Sequence, residues 1–154
     1  MRFLPGSVQS NMARCILLGT AEETIPDFAM PLLSTRVPAG FPSPADDYLE
    51  KTLNLQEHLV QHPQATFLMR VEGHSMIRAG IHDGDLLIID RALEPGHGRI
   101  VVAVVDGDFM VKRLIYENGR CLLRSENARF KDVVVGEDSN NQVWGVVTNV
   151  IHKV

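Results

Sequence analysis

Apolar and polar positions change rhythm along this chain, and the changes divide it. Up to residue 42, apolar residues such as Phe28, Met30, Leu32 and Leu33 recur without a clean period. Pro5, Pro26, Pro31, Pro38 and Pro42 remove backbone donors and break helical runs. This stretch reads as an irregular, extended arm that packs on something. It is too short and too broken by proline for a helix-turn-helix module. Ser43 then has the character of an N-cap, with Pro44 at the first helical position and Asp46 three residues after the cap. That pattern predicts a short helix to about Thr52. Asn54 with Glu57 repeats it and predicts a second short helix ending at Pro63.

From Thr66 the signal is β. Phe67–Glu72, Leu86–Asp90, Ile100–Val105, Phe109–Tyr116, Cys121–Arg124, Val133–Val135 and Val143–Ile151 are rich in β-branched or aromatic residues. Asp106-Gly107 and Asn118-Gly119 are hairpin turns, because both dipeptides tolerate positive φ. The expected body is mainly β: a compact domain of mostly antiparallel strands with two short helices before it and an extended N-terminal arm.

With 154 residues, the chain can hold one domain with a real core. Its 45% apolar and 22% charged residues match a soluble globular protein. The net charge of −4, with scattered cations, disfavours sequence-specific binding to nucleic acid by this chain alone. Residues 1–39 are neutral, so the negative excess lies downstream. Cys15 and Cys121 have no metal or redox spacing, which fits free thiols in a reducing cytoplasm. No apolar run reaches the roughly 18 residues that span a membrane. No cofactor or metal is expected. His58 and His62 stand four apart but lack a third ligand, and Asp83-Gly84-Asp85 reads as a turn rather than a calcium loop.

The residues able to do chemistry are few. Ser75, in Gly73-His74-Ser75-Met76, follows a strand and precedes a turn ending at Gly80. Such a turn can present a nucleophile together with an oxyanion hole from the backbone N–H groups of Ser75 and Met76. Lys112 lies on a strand face with Met110 and Leu114, and Arg113 on the other face with Val111 and Ile115. Both faces are apolar, so one cation is drawn against the core. A desolvated lysine can lose its proton and act as a base, whereas arginine cannot. Taken singly, Ser75 reads more readily as the cap of a helical turn and Lys112 as an edge-strand residue reaching water. Spacing alone also leaves open a Ser-His-Asp triad using His74, His82 or His97.

Three segments together resemble the LexA/UmuD-type self-cleaving serine peptidases. They are Ala39-Gly40-Phe41-Pro42-Ser43-Pro44, Gly73-His74-Ser75-Met76-Ile77 through Asp83-Gly84-Asp85-Leu86 to Asp90, and Asp106-Gly107-Asp108-Phe109-Met110-Val111-Lys112-Arg113-Leu114. Gly40 precedes Ser75 by 35 residues and Ser75 precedes Lys112 by 37, which is the order and spacing of that family. The resemblance implies that Ser75 is the nucleophile, Lys112 the general base and Ala39–Gly40 the substrate bond. It implies a removable arm over residues 1–39 and a LexA-type peptidase and dimerisation domain over residues 40–154. Within the family, the proline-broken, neutral arm is nearer to UmuD than to repressors with a DNA-binding domain. That implies a cytoplasmic homodimer activated by the RecA–single-stranded-DNA filament, whose trimmed form joins a UmuC-like Y-family polymerase. The alternative is a LexA-like regulator that dimerises and binds operator DNA. The arm is longer than usual for these relatives: either the working start is Met12 or later, or the extra residues make contacts of their own.

Overall fold

The computed structural model describes residues 13–21, 29–33, 49–136 and 139–154. Ala39, Gly40 and the Ser43 cap lie outside the described residues. Among the described residues run ten strands: β1 (Arg14–Thr20), β2 (Ala29–Leu33), β3 (Leu49–Asn54), β4 (Thr66–Glu72), β5 (Leu86–Asp90), β6 (Ile100–Val105), β7 (Asp108–Glu117), β8 (Arg120–Arg124), β9 (Val133–Val135) and β10 (Gln142–Ile151). One short helix, α1, spans Leu55–Leu59. No helix among the described residues is long and apolar enough to cross a membrane.

Local turn chemistry sets the run from β6 to β8. Asp106 and Gly107 have φ of 50° and 85°, and Asn118 and Gly119 have 51° and 72°. Positive φ at both central residues gives a turn whose twist matches the strands it joins. The first hairpin pairs Val105 with Asp108 and, further along, Val101 with Lys112; the second pairs Glu117 with Arg120 and Arg113 with Arg124. β10 then inserts between β5 and β6, so the sheet order is β1-β4-β5-β10-β6-β7-β8-β9, antiparallel throughout. β1 also pairs with β7, which joins the two arms of the sheet into a barrel.

Closing the sheet buries both faces of its middle strands. Val102, Val111 and Val147 pack in one core cluster with Met69, Val71 and Met76, whereas Val101, Met110 and Val146 pack in another with Leu114 and Leu123. Neighbours in sequence therefore serve different cores, as a side-chain period of two requires.

Two expectations are corrected. The stretch up to residue 42 is not wholly irregular, since β1 and β2 lie in it. The helix predicted to run to about Thr52 is replaced from Leu49 onward by β3, which pairs antiparallel with β2 from Ala29↔Asn54 to Leu33↔Leu49. A cap favours only the first turn of a helix, and a helix this short is marginal in water. A strand partner from earlier in the chain offers the backbone a better set of hydrogen bonds. The second helix does form: Asn54 Oδ1 accepts from Glu57 N–H at 3.3 Å. It ends at Leu59, ahead of a 3-10 turn at Pro63–Ala65.

Gly145 is closely packed. It sits at a register shift in β10, and a Cβ there would lie 2.5 Å from Cγ2 of the fully buried Ile89. Gly145→Ala should therefore lower stability by about 1–3 kcal/mol through overpacking. Urea unfolding checks this, and an unchanged midpoint would refute it.

Candidate active site

Ser75 is positioned by a braced turn. β4 ends at Glu72, and Gly73 turns the chain with φ of 101°. The turn is held by Gly73 N–H donating to Asp83 Oδ1 at 2.9 Å and Gly84 N–H donating to Val71 O at 2.8 Å. A 3-10 turn over Ile77–Ala79 follows, closed by the left-handed Gly80. Between these braces Ser75 and Met76 are fully buried. Ser75 Oγ accepts a hydrogen bond from the backbone N–H of Ala13 at 2.8 Å. The N–H groups of Ser75 and Met76 donate to no atom among the described residues. They are thus available to a developing oxyanion.

Of the two neighbouring cations in β7, Lys112 is the buried one. Its side chain has no exposed surface, while Arg113 faces the other way and pairs with the Glu126 carboxylate and with Gly98 O at 2.6 Å. Lys112 Nζ donates to Ser125 Oγ at 2.5 Å and stands 5.8 Å from the centre of the Phe130 ring. Desolvation pushes the Lys112 amine down to about 8, partly opposed by the charge of Asp132. Arg124 ties that carboxylate up, with contacts of 3.0 and 2.7 Å, and the bonds to Asp132 raise the Arg124 pKa in turn. No carboxylate lies within ion-pair reach of Lys112 among the described residues. The amine is therefore poised to exchange a proton near neutral pH.

Two further segments link the turn that carries Ser75 to the strand that carries Lys112 or to its partner. Ala13 is one: besides its bond to Ser75, its carbonyl accepts from Val111 N–H at 3.1 Å, one residue before Lys112. The segment after β8 is the other. Glu126 N–H approaches Met76 Sδ at 3.3 Å, Glu126 O accepts from Arg78 N–H at 3.4 Å, and the preceding Ser125 holds Lys112. No hydrogen bond joins Ser75 Oγ directly to Lys112 Nζ among the described residues.

None of the histidines bonds Ser75 among the described residues. His97 Nδ1 accepts from Tyr116 N–H at 2.9 Å, and His62 Nδ1 meets Asp90 at 2.6 Å. His82 and His152 flank the buried Asp85, and the donor atoms of these three lie within 4.8 Å of one another. Desolvation pushes the Asp85 carboxyl up, but bonds from the His82 N–H and the His152 ring outweigh it and hold it below its usual value. Both Asp85 oxygens are thus already occupied within the protein.

The sequence reading missed Ser125, although a signal for it existed. The Asn118-Gly119 hairpin sets Arg113 opposite Arg124. Continuing that register by one residue places Ser125 opposite Lys112.

Residues 31–148 match the Peptidase S24-like family. The chain belongs to this family of self-cleaving serine peptidases. Among similar proteins, ImpA of Salmonella typhimurium is 44% identical over 127 residues, 82% of this chain and 86% of that protein. MucA of Escherichia coli is 44% identical over 122 residues, 79% of this chain and 83% of MucA. SamA of Salmonella typhimurium is 42% identical over 138 residues, 90% of this chain and 96% of SamA. Within the Peptidase S24-like family the chain is of the UmuD type, a group tied to the SOS response and DNA damage.

Burying Lys112 has a thermodynamic signature. Its folded pKa of about 8 lies below the ordinary 10.5. Between those values the unfolded chain binds more protons, so this residue makes stability rise with pH across that window. Lys112→Met keeps the volume and removes the ionisable group. The variant should be at least as stable as the parent at pH 7.5, and its advantage should shrink by pH 10. Urea midpoints at the two pH values check this; an advantage that grows with pH would refute it.

Proposed function

We propose that this chain cuts its own Ala39–Gly40 bond, with Ser75 as nucleophile and Lys112 as general base, when engaged by the RecA–single-stranded-DNA filament in the SOS response. The trimmed form, residues 40–154, then acts as the dimeric, cytoplasmic accessory subunit of an error-prone, UmuC-like Y-family translesion polymerase. The observation carrying the catalytic part is the fully buried Lys112, its amine lowered to about 8, on the strand that Ala13 links to Ser75.

The chemistry balances with these groups alone. Neutral Lys112 takes the hydroxyl proton as Ser75 Oγ attacks the Ala39 carbonyl carbon. The N–H groups of Ser75 and Met76 stabilise the tetrahedral oxyanion. The Lys112 ammonium returns the proton to the Gly40 amine as the peptide bond breaks. Water, deprotonated by the same amine, then hydrolyses the Ala39 ester and frees Ser75. Ala39 brings a small side chain to the bond, and Gly40 lets the backbone approach closely. The arm that leaves is the part of the chain that carries β1 and β2.

Intact mass before and after incubation with RecA, ATP and single-stranded DNA tests the reading. The expected product begins at Gly40, and a different new N-terminus would exclude the assigned bond. Without the filament, cleavage should quicken about tenfold between pH 7 and pH 9, because the neutral fraction of a base with a pKa near 8 grows by that factor. It should level off above that range, and a rate that falls with pH would exclude a lysine base. Ser75→Ala and Lys112→Arg should both be inactive.

Peptidase and accessory roles should also separate. Full-length Ser75→Ala should fail to support damage-induced mutagenesis, while a chain begun at Gly40 with the same substitution should support it. Mutation frequency in cells lacking the native protein, with the partner polymerase supplied, checks this. Inactivity of a folded, dimeric Gly40 chain would give Ser75 a task beyond self-processing.

A further inference from the structure

β1 lies between the edges of β4 and β7. It pairs with β4 from Arg14↔Glu72 to Thr20↔Phe67, and with β7 at Arg14↔Met110. β8 covers β7 only from Arg113 onward, so the edge ahead of that residue is open to β1. Ala13 sits at the junction, fully buried, its N–H on Ser75 Oγ and its carbonyl on Val111 N–H. Cys15, 7% exposed, packs in the same core cluster as Met76 and Val111.

From this placement we infer that residues 13–20 are a built-in strand ligand of the peptidase groove, which keeps Ser75 out of reach until the arm lets go. The inference rests on the self-cleavage reading and adds its regulation. The Ala13 nitrogen, 2.8 Å from Ser75 Oγ, stands in one approach to that oxygen, where a peptide carbonyl would otherwise come. One backbone fits there, so the Ala39–Gly40 segment and β1 compete.

The resident strand is not itself poised for cutting. A peptide unit is planar, and Ser75 Oγ lies in line with the Ala13 N–H, at the edge of its unit. Attack on a carbonyl carbon comes from above that plane, so the contact is not a near-attack arrangement. The bond also engages a lone pair of the nucleophile, while Lys112 Nζ rests on Ser125. The strand is held by backbone pairing and by two small buried side chains, Ala13 and Cys15, whereas Ile16, Leu17 and Leu18 are 45%, 43% and 43% exposed. So little buried apolar surface makes for a strand that can open locally while the rest of the barrel stays folded.

Thiol labelling reports docking without relying on cleavage. In the full chain, iodoacetamide at pH 8 should modify the half-buried Cys121 about tenfold faster than Cys15, as mapped by peptide mass. Ala13→Arg puts a long charged side chain into a fully buried site, and Ala13→Pro removes the N–H on Ser75. Either should raise Cys15 labelling towards that of Cys121 and speed filament-free cleavage at Ala39–Gly40 about fivefold. Equal labelling of both thiols in the unaltered chain overturns docking, whatever the cleavage rate. Faster labelling of the variants without faster cleavage overturns occlusion. If no form cleaves, even at pH 9 with the filament, the self-cleavage reading fails. Occlusion is then read from binding of a synthetic peptide of residues 34–46: about fivefold tighter binding to Ala13→Arg upholds it, and equal affinity overturns it.

Discussion

The removal of the Lys112 amine from water is the constraint on which the rest of the site depends. A lysine with no exposed surface and no carboxylate in ion-pair reach among the described residues is costly to keep charged, which pushes its pKa to about 8. The cost arises because both faces of β7 are covered, Met110 and Leu114 by one core cluster and Val111 by the other. Barrel closure is therefore part of the site's electrostatics as well as of its stability. Opened to water, with neither β1 nor a substrate backbone seated between β4 and β7, the same lysine would stay protonated near neutral pH and could not accept a hydroxyl proton.

That closure is made in part by a strand from the arm. β1 bridges β4 and β7, so the segment that seals the barrel is also the one that rests on Ser75. Packing and the proposed occlusion of Ser75 thus rest on the same contacts. Loss of the arm would release one strand edge on β4 and one on β7, and unpaired edges are natural sites for adding a strand from another chain.

Ser125 illustrates how hairpin geometry carries chemistry across the sheet. The turn at Asn118-Gly119 sets the register of β7 against β8, and that register brings Ser125 beside Lys112. Its hydroxyl gives the amine a neutral partner, which orients Nζ without the charge that would raise its pKa. The next residue, Glu126, anchors Arg113 and touches the Ser75 turn through Met76 and Arg78. Two consecutive residues beyond the end of a short strand therefore tie the serine loop to the lysine strand.

Much of this was legible in the residues themselves. The alternating β-branched runs after Thr66, the two hairpin dipeptides and the Asn54 cap each act over a few residues, and each formed where expected. The apolar faces on both sides of β7 showed that one cation would be buried, and the family resemblance pointed to Lys112. Other features depended on partners far away in sequence. Leu49–Thr52 follows the helix start signal at Ser43-Pro44 yet became part of β3, because β2 lies alongside it. Arg14–Thr20 has no strong strand period, and only the facing edges of β4 and β7 make it a strand. Only the tertiary structure decided which backbone occupies the groove at Ser75, since a strand edge accepts any backbone that reaches it and side-chain pattern does not distinguish the candidates.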